Sequence, residues 1–120
     1  RSRTSTPLQS LGLFNETQRL EMSRVFAERL IRDVRDDSGR IGQAFELLAC
    51  RQPTDRERRA CERLLGAMRL RYQKSKSDAR SLLDRTGSAS RVPNLDPVEL
   101  AVWTQVAITV LASDVVLTLY

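Results

Sequence analysis

The sequence predicts an all-α fold: one domain over residues 1–120, a bundle of five to six helices with a buried apolar C-terminal helix. Three observations predict it. Apolar residues recur at the spacing of a helix with one face in a core through most of the chain. Helix-start signatures head three of these segments: Asn15 with Gln18, Thr54 with Glu57, and Asp96 with Pro97 and Glu99. The run from Leu100 to Ser113 carries no charge, and its apolar residues go all the way round, the mark of a helix covered on every side.

The elements follow in order. Residues 1–6 are polar and are expected to be disordered. Pro7 opens a short helix through Leu8, Leu11, Leu13 and Phe14, which Gly12 weakens. Asn15 caps a longer helix that runs to about Val34. On it Glu21, Arg24, Glu28, Arg32 and Arg35 form one narrow polar stripe. Leu20, Met22, Val25, Phe26, Ala27, Leu30, Ile31 and Val34 occupy most of the rest, so this helix should touch more than one neighbour.

Asp36-Asp37-Ser38-Gly39 reads as a turn. Ile41, Ala44, Phe45, Leu47 and Leu48 make a short amphipathic helix that ends near Cys50. Pro53 stops it, and Thr54 with Glu57 starts the next, with Asp55 near the positive end of the helix dipole. Cys61, Leu64, Leu65, Met68 and Tyr72 share the core face of that helix, and Arg56, Arg59, Arg63 and Lys74 its wet face. Ser75 to Asp78 break the pattern before Ala79, Leu82 and Leu83 form another short helix, and Gly87 to Asn94 is a loop. The last helix starts at Pro97. Its uncharged run of 14 residues includes Thr104, Gln105, Thr109 and Ser113, short of the roughly 20 apolar residues of a membrane span. A core helix is therefore expected. The β-branched tail from Val115 leaves helix and extended chain both open.

Composition excludes several chemistries. The chain has no histidine, which removes the commonest general base and metal ligand. Cys50 and Cys61 cannot close a structural zinc site by themselves. A disulfide between them is disfavoured by the expected separation of their α-carbons, so both read as small buried hydrophobes. Asp36-Asp37 lacks the flanking residues of a calcium loop. Trp103 reads as core. The net charge of +5 comes from 20 basic and 15 acidic residues mixed along the chain, which disfavours nucleic acid as a partner. No catalytic set, metal site or cofactor site is assigned within the segment.

Three blocks in fixed order, the second in two parts, carry a resemblance. They are Thr6-Pro7-Leu8-Gln9-Ser10-Leu11 with Phe14-Asn15, Ala44-Phe45-Glu46-Leu47-Leu48, Arg51-Gln52-Pro53-Thr54-Asp55-Arg56-Glu57, and Leu95-Asp96-Pro97-Val98-Glu99-Leu100-Ala101-Val102-Trp103-Thr104. Together they resemble the C-terminal part of domain of unknown function 1553, a planctomycete-specific domain of large exported proteins that also carry c-type cytochrome domains. The resemblance runs from Thr6 to about Asp114. Cys50 stands where the family has Gly, and Ala112-Ser113-Asp114-Val115 replaces an Asn-Leu-Asp-Glu run. The resemblance implies the C-terminal portion of a larger multidomain protein in the periplasm or cell envelope. Any haem would be held by a separate domain, and no catalytic residue is implied.

The leading expectation is thus a non-catalytic structural or interaction module. Its partners would be the N-terminal part of its own domain or neighbouring domains, or a second copy through apolar surface. One alternative is an enzyme fragment that contributes arginines to an anionic-substrate site, with Arg32, Arg51 and Arg56 as binding residues and Asp114 beside them. Asp114 reads more simply as an acid near a helix end, paired with an arginine. The other alternative is a basic helical nucleic-acid binder.

Overall fold

The apolar C-terminal run forms the axis of a helical bundle. The structure is a computed structural model that describes residues 16–87 and 94–118, the last six of these as backbone alone. Five helices and no strand occur among the described residues: α1 (Glu16–Asp33), α2 (Asp37–Ala49), α3 (Asp55–Lys74), α4 (Lys76–Asp84) and α5 (Pro97–Thr118). The short helix expected from Pro7, the cap at Asn15 and most of the Gly87–Asn94 loop lie outside the described residues.

α5 starts where its sequence signals it. The Asp96 carboxylate accepts from the Val98 N–H at 3.1 Å, and the Asp96 carbonyl accepts from the Leu100 N–H at 2.9 Å. The other four helices all pack on α5, α1 most extensively. Leu100, Ala101, Val102, Trp103, Thr104, Val106, Ala107 and Val110 are buried by that packing. Thr104 fits the core because its hydroxyl donates to the Leu100 carbonyl at 2.7 Å, one turn back. The Arg40 guanidinium lies 5.6 Å from the centre of the Trp103 ring, while the buried indole N–H meets no acceptor among the described residues. Cover thins from Ile108 onward: Val110 is still buried, but Ile108 and Leu111 are half-buried and Thr109 and Ala112 are exposed. The β-branched tail keeps its helix through Thr118. None of the described helices is long and apolar enough to cross a membrane.

α1 corrects the expected polar stripe. Arg24 and Glu28 are buried, and Val25, Arg29 and Arg32 face solvent. The apolar arc of this helix is so wide that it permits several rotations about its axis. The adopted one places Arg24 against the end of α4, where its Nε donates to the Thr86 hydroxyl at 2.9 Å.

The Asp36–Gly39 turn is also corrected. Asp36 is an N-cap in extended backbone (φ −100°, ψ 154°), its carboxylate accepts from the Gly39 N–H at 2.8 Å, and α2 is helical from Asp37 onward. A capping aspartate and a turn aspartate look alike in sequence, because both use the side chain to satisfy a nearby N–H. At the other end Cys50 adopts the left-handed conformation (φ 58°) and closes the helix through its N–H to the Phe45 carbonyl. Cys50 is exposed, against the expectation of a buried residue, at the point where α2 ends. Cys61 is buried, and both thiols are free.

α3 begins with the expected capping box, the Thr54 hydroxyl accepting from the Glu57 N–H at 3.1 Å and the Glu57 carboxylate from the Thr54 N–H at 2.9 Å. Cys61, Leu65 and Tyr72 are buried on its inner face, with Leu64 and Met68 packed beside them. The break before α4 is narrower than expected. Ser75 alone leaves helical geometry (φ −133°, ψ 86°), and α4 starts at Lys76. After α4 the chain passes Gly87 at φ 86°, where a β-carbon would lie 2.6 Å from the Glu21 carboxylate; this turn therefore requires glycine.

Candidate functional site

The buried and half-buried charges of this bundle are held across helix seams. Arg69, in the middle of α3, reaches two carboxylates in the first turns of other helices. It donates to Asp37 at 2.6 and 2.9 Å and to Glu99 at 3.0 and 2.8 Å. Two flanking carboxylates raise the Arg69 pKa further above its ordinary value, and the Arg69 guanidinium holds Asp37 below the usual carboxylate range. Both acids also sit where a helix dipole favours negative charge.

A second fork joins Arg51 to Glu57 at 2.7 and 2.8 Å. Hydrogen bonds from Arg51, aided by those from Thr54, lower the Glu57 pKa from 4.5 to about 2. Arg51 also lies 5.5 Å from the centre of the Phe45 ring. A third network is fully enclosed: Arg24 Nη1 donates to Glu28 at 2.8 Å, and the Thr86 hydroxyl that accepts from Arg24 donates to the Leu83 carbonyl. Burial pushes the Cys61 thiol pKa up, the opposite of what a reactive thiolate needs.

The candidate binding residues occupy different settings. Arg32 is exposed near the end of α1, in a loose 3.6 Å pair with its neighbour Asp33. Arg51 is engaged by Glu57, as above. Arg56 is exposed in the first turn of α3. The Asp114 side chain lies outside the described residues. Among the described residues, no group of three or more Cys, Asp or Glu is arranged to hold a metal ion.

The concave surface lies elsewhere, around the first turns of α1. A cleft of about 270 Å³ opens between α1 and the second half of α5. Leu20, Ile108, Leu111 and Ala112 form its apolar floor, and Glu16, Arg19 and Ser23 its polar edge. A neighbouring cleft of about 360 Å³ shares Glu16 and Leu20 and continues to Asp84, Arg85 and Gly87 at the end of α4. The two clefts together make up the depression around Leu20. A smaller space of about 70 Å³ lies between α2, α3 and α5, beside Phe45, Cys61 and Val110. Sequence reasoning missed the depression. Leu20, Ile108 and Leu111 carry the ordinary core signal, and nothing local says that the other described residues leave their shared face partly open.

The family profile PSD1, described as "Protein of unknown function (DUF1553)", matches residues 1–65. No curated protein and no solved structure matches the chain.

Proposed function

Since the chain belongs to the family of proteins of unknown function DUF1553, we propose that it is a non-catalytic helical packing module whose task is to hold another part of its parent protein. The observation that carries this reading is the apolar-floored depression around Leu20. Helix α1 offers Leu20 there and α5 offers Ile108 and Leu111, all half-buried. An apolar floor with a charged edge suits a protein segment better than a small polar substrate.

The occupant we favour is the N-terminal part of the same domain. The depression lies at the first turn of α1, where the preceding chain enters. A segment tethered at that point meets the cleft at high effective concentration, so modest contacts suffice. The proposed setting is the periplasm or envelope of a planctomycete-type protein whose c-type haem is held by a separate domain; its support is the ordered blocks from Thr6 to Thr104. A full-length parent without an export signal or a CxxCH-bearing domain overturns this setting.

The test is co-expression of the chain with the N-terminal part of its parent domain as a separate polypeptide. The expected result is a complex that co-purifies at 1:1 and is lost in Leu20→Arg and Leu111→Arg, with the variants' circular dichroism unchanged. A complex indifferent to both substitutions, or none with the unaltered chain, overturns the reading. So does a chain that self-associates through this face even when the N-terminal part is present.

A further inference from the structure

The outer face of α3 is not used by the bundle. Arg56, Arg59, Arg63 and Lys74 are all exposed there, and none of them takes part in an ion pair or side-chain hydrogen bond among the described residues. Arginines on other sides of the same helix behave differently: Arg69 is held by Asp37 and Glu99, and Arg58 by Ser38 at 2.8 and 2.9 Å. Between the free cations lies an apolar interval. Leu70 is 58% exposed, the most exposed large hydrophobic residue among those described. One turn before it is Gly66, whose missing β-carbon would meet nothing within 4 Å.

Gly66 is the informative residue. Glycine inside a helix weakens it relative to alanine, and no packing among the described residues requires one at this position. A partner backbone that approaches α3 closely would. The face from Arg56 to Lys74 is about 27 Å long at the rise of an α-helix, with cations at both ends and bare backbone beside Leu70 in the middle. We propose that this face docks an acidic amphipathic helix of a partner polypeptide, an assignment that rests on the packing-module reading and names a second surface for it. The partner's apolar stripe lies over Gly66 and Leu70, and its carboxylates meet Arg56, Arg59, Arg63 and Lys74. A nucleic acid would place phosphates over the uncharged interval and desolvate Leu70 for nothing, so a peptide is the better match.

The experiment uses the whole chain and a designed helical peptide with an Ala/Leu stripe flanked by Glu, followed by fluorescence anisotropy. The expected result is saturable binding that weakens with added salt and falls about tenfold or more in the doubly charge-reversed variant Arg59→Glu, Arg63→Glu. Gly66→Leu should abolish binding while the thermal midpoint holds or rises, which separates a docking role from a folding role. Absence of binding, equal binding of a Lys-flanked control peptide, or unchanged affinity in Gly66→Leu each overturns the proposal. Binding of a DNA duplex in place of the peptide does so as well. Leu20 and Leu111 are untouched throughout, so failure here leaves the α1–α5 depression standing, and failure there leaves this face standing.

Discussion

Arg69 and Glu99, 30 positions apart in the chain, meet in a two-bond fork, with Nε on one carboxylate oxygen at 3.0 Å and Nη2 on the other at 2.8 Å. The same guanidinium holds Asp37 by a second fork. One side chain thus ties the middle of α3 to the first turns of α2 and α5. Two carboxylates on one cation cannot both be neutralised by it; Arg40 adds positive charge near Asp37, and the dipoles of α2 and α5 favour both acids.

Arg69→Met is expected to destabilise the fold by roughly 1–3 kcal/mol, a range lowered from that of a buried network because all three side chains are partly exposed. Arg69→Lys should recover less than half, since an ammonium cannot fork to two carboxylates. Urea unfolding reads this as a lower midpoint at constant slope.

Arg24 and Glu28 form an enclosed pair, with side-chain exposures of 0% and 6%. Arg24→Met should cost about 3 kcal/mol or more, because it withdraws the cation from a buried carboxylate. Glu28→Gln in the same background should recover part of the loss, by removing a buried charge that no longer faces Arg24. A double-mutant cycle of thermal or urea unfolding checks this. Additive losses would mean that the two groups do not depend on each other.

Cys50 ends α2 at φ 58°, a region in which a β-carbon is strained. Cys50→Gly should stabilise the fold by about 1 kcal/mol even though it removes a side chain. Cys50→Val, branched at the strained atom, should destabilise it. Thermal melts of the three proteins should rank Gly above Cys above Val.

Acid should act on the start of α3. The Glu57 pKa is depressed in the fold, to about 2 from an ordinary 4.5. The sign follows: its ionised form is favoured by folding, so this stabilisation is complete above about pH 4.5 and is lost as pH falls toward 2. Arg51→Gln removes the largest cause and should raise the Glu57 pKa toward 4.5. Side-chain carboxyl NMR titration measures that shift directly. The gap in stability between Arg51→Gln and the unaltered chain should narrow as pH is lowered through the same window.

Much of the architecture was legible locally. The starts of α3 and α5 were readable because Thr54–Glu57 and Asp96–Pro97 satisfy helix-end N–H groups within a few residues. The core face of α3 was readable because Cys61, Leu65 and Tyr72 repeat at its period and charged residues fill the outside. Two short-range readings failed for equally local reasons. Asp36 serves caps and turns alike, and a single Ser75 separates α3 from α4 where four polar residues suggested a wider gap. The candidate arginines were a weaker guess. Charge alone does not say whether an arginine is engaged, as Arg51 is by Glu57, or exposed, as Arg56 is.

By itself, then, the sequence determined the helical class, the capped starts of α3 and α5, and α5 as the bundle's axis, because periodicity and caps act within one or two turns. The tertiary structure decided the rotation of α1, the enclosure of Arg24 with Glu28 and Thr86, the sharing of Arg69 between Asp37 and Glu99, and the opening around Leu20. The hydrogen bonds among those outcomes join residues as far as 62 positions apart. Their energies come into being when the helices meet, and no local pattern encodes which surfaces that meeting leaves uncovered.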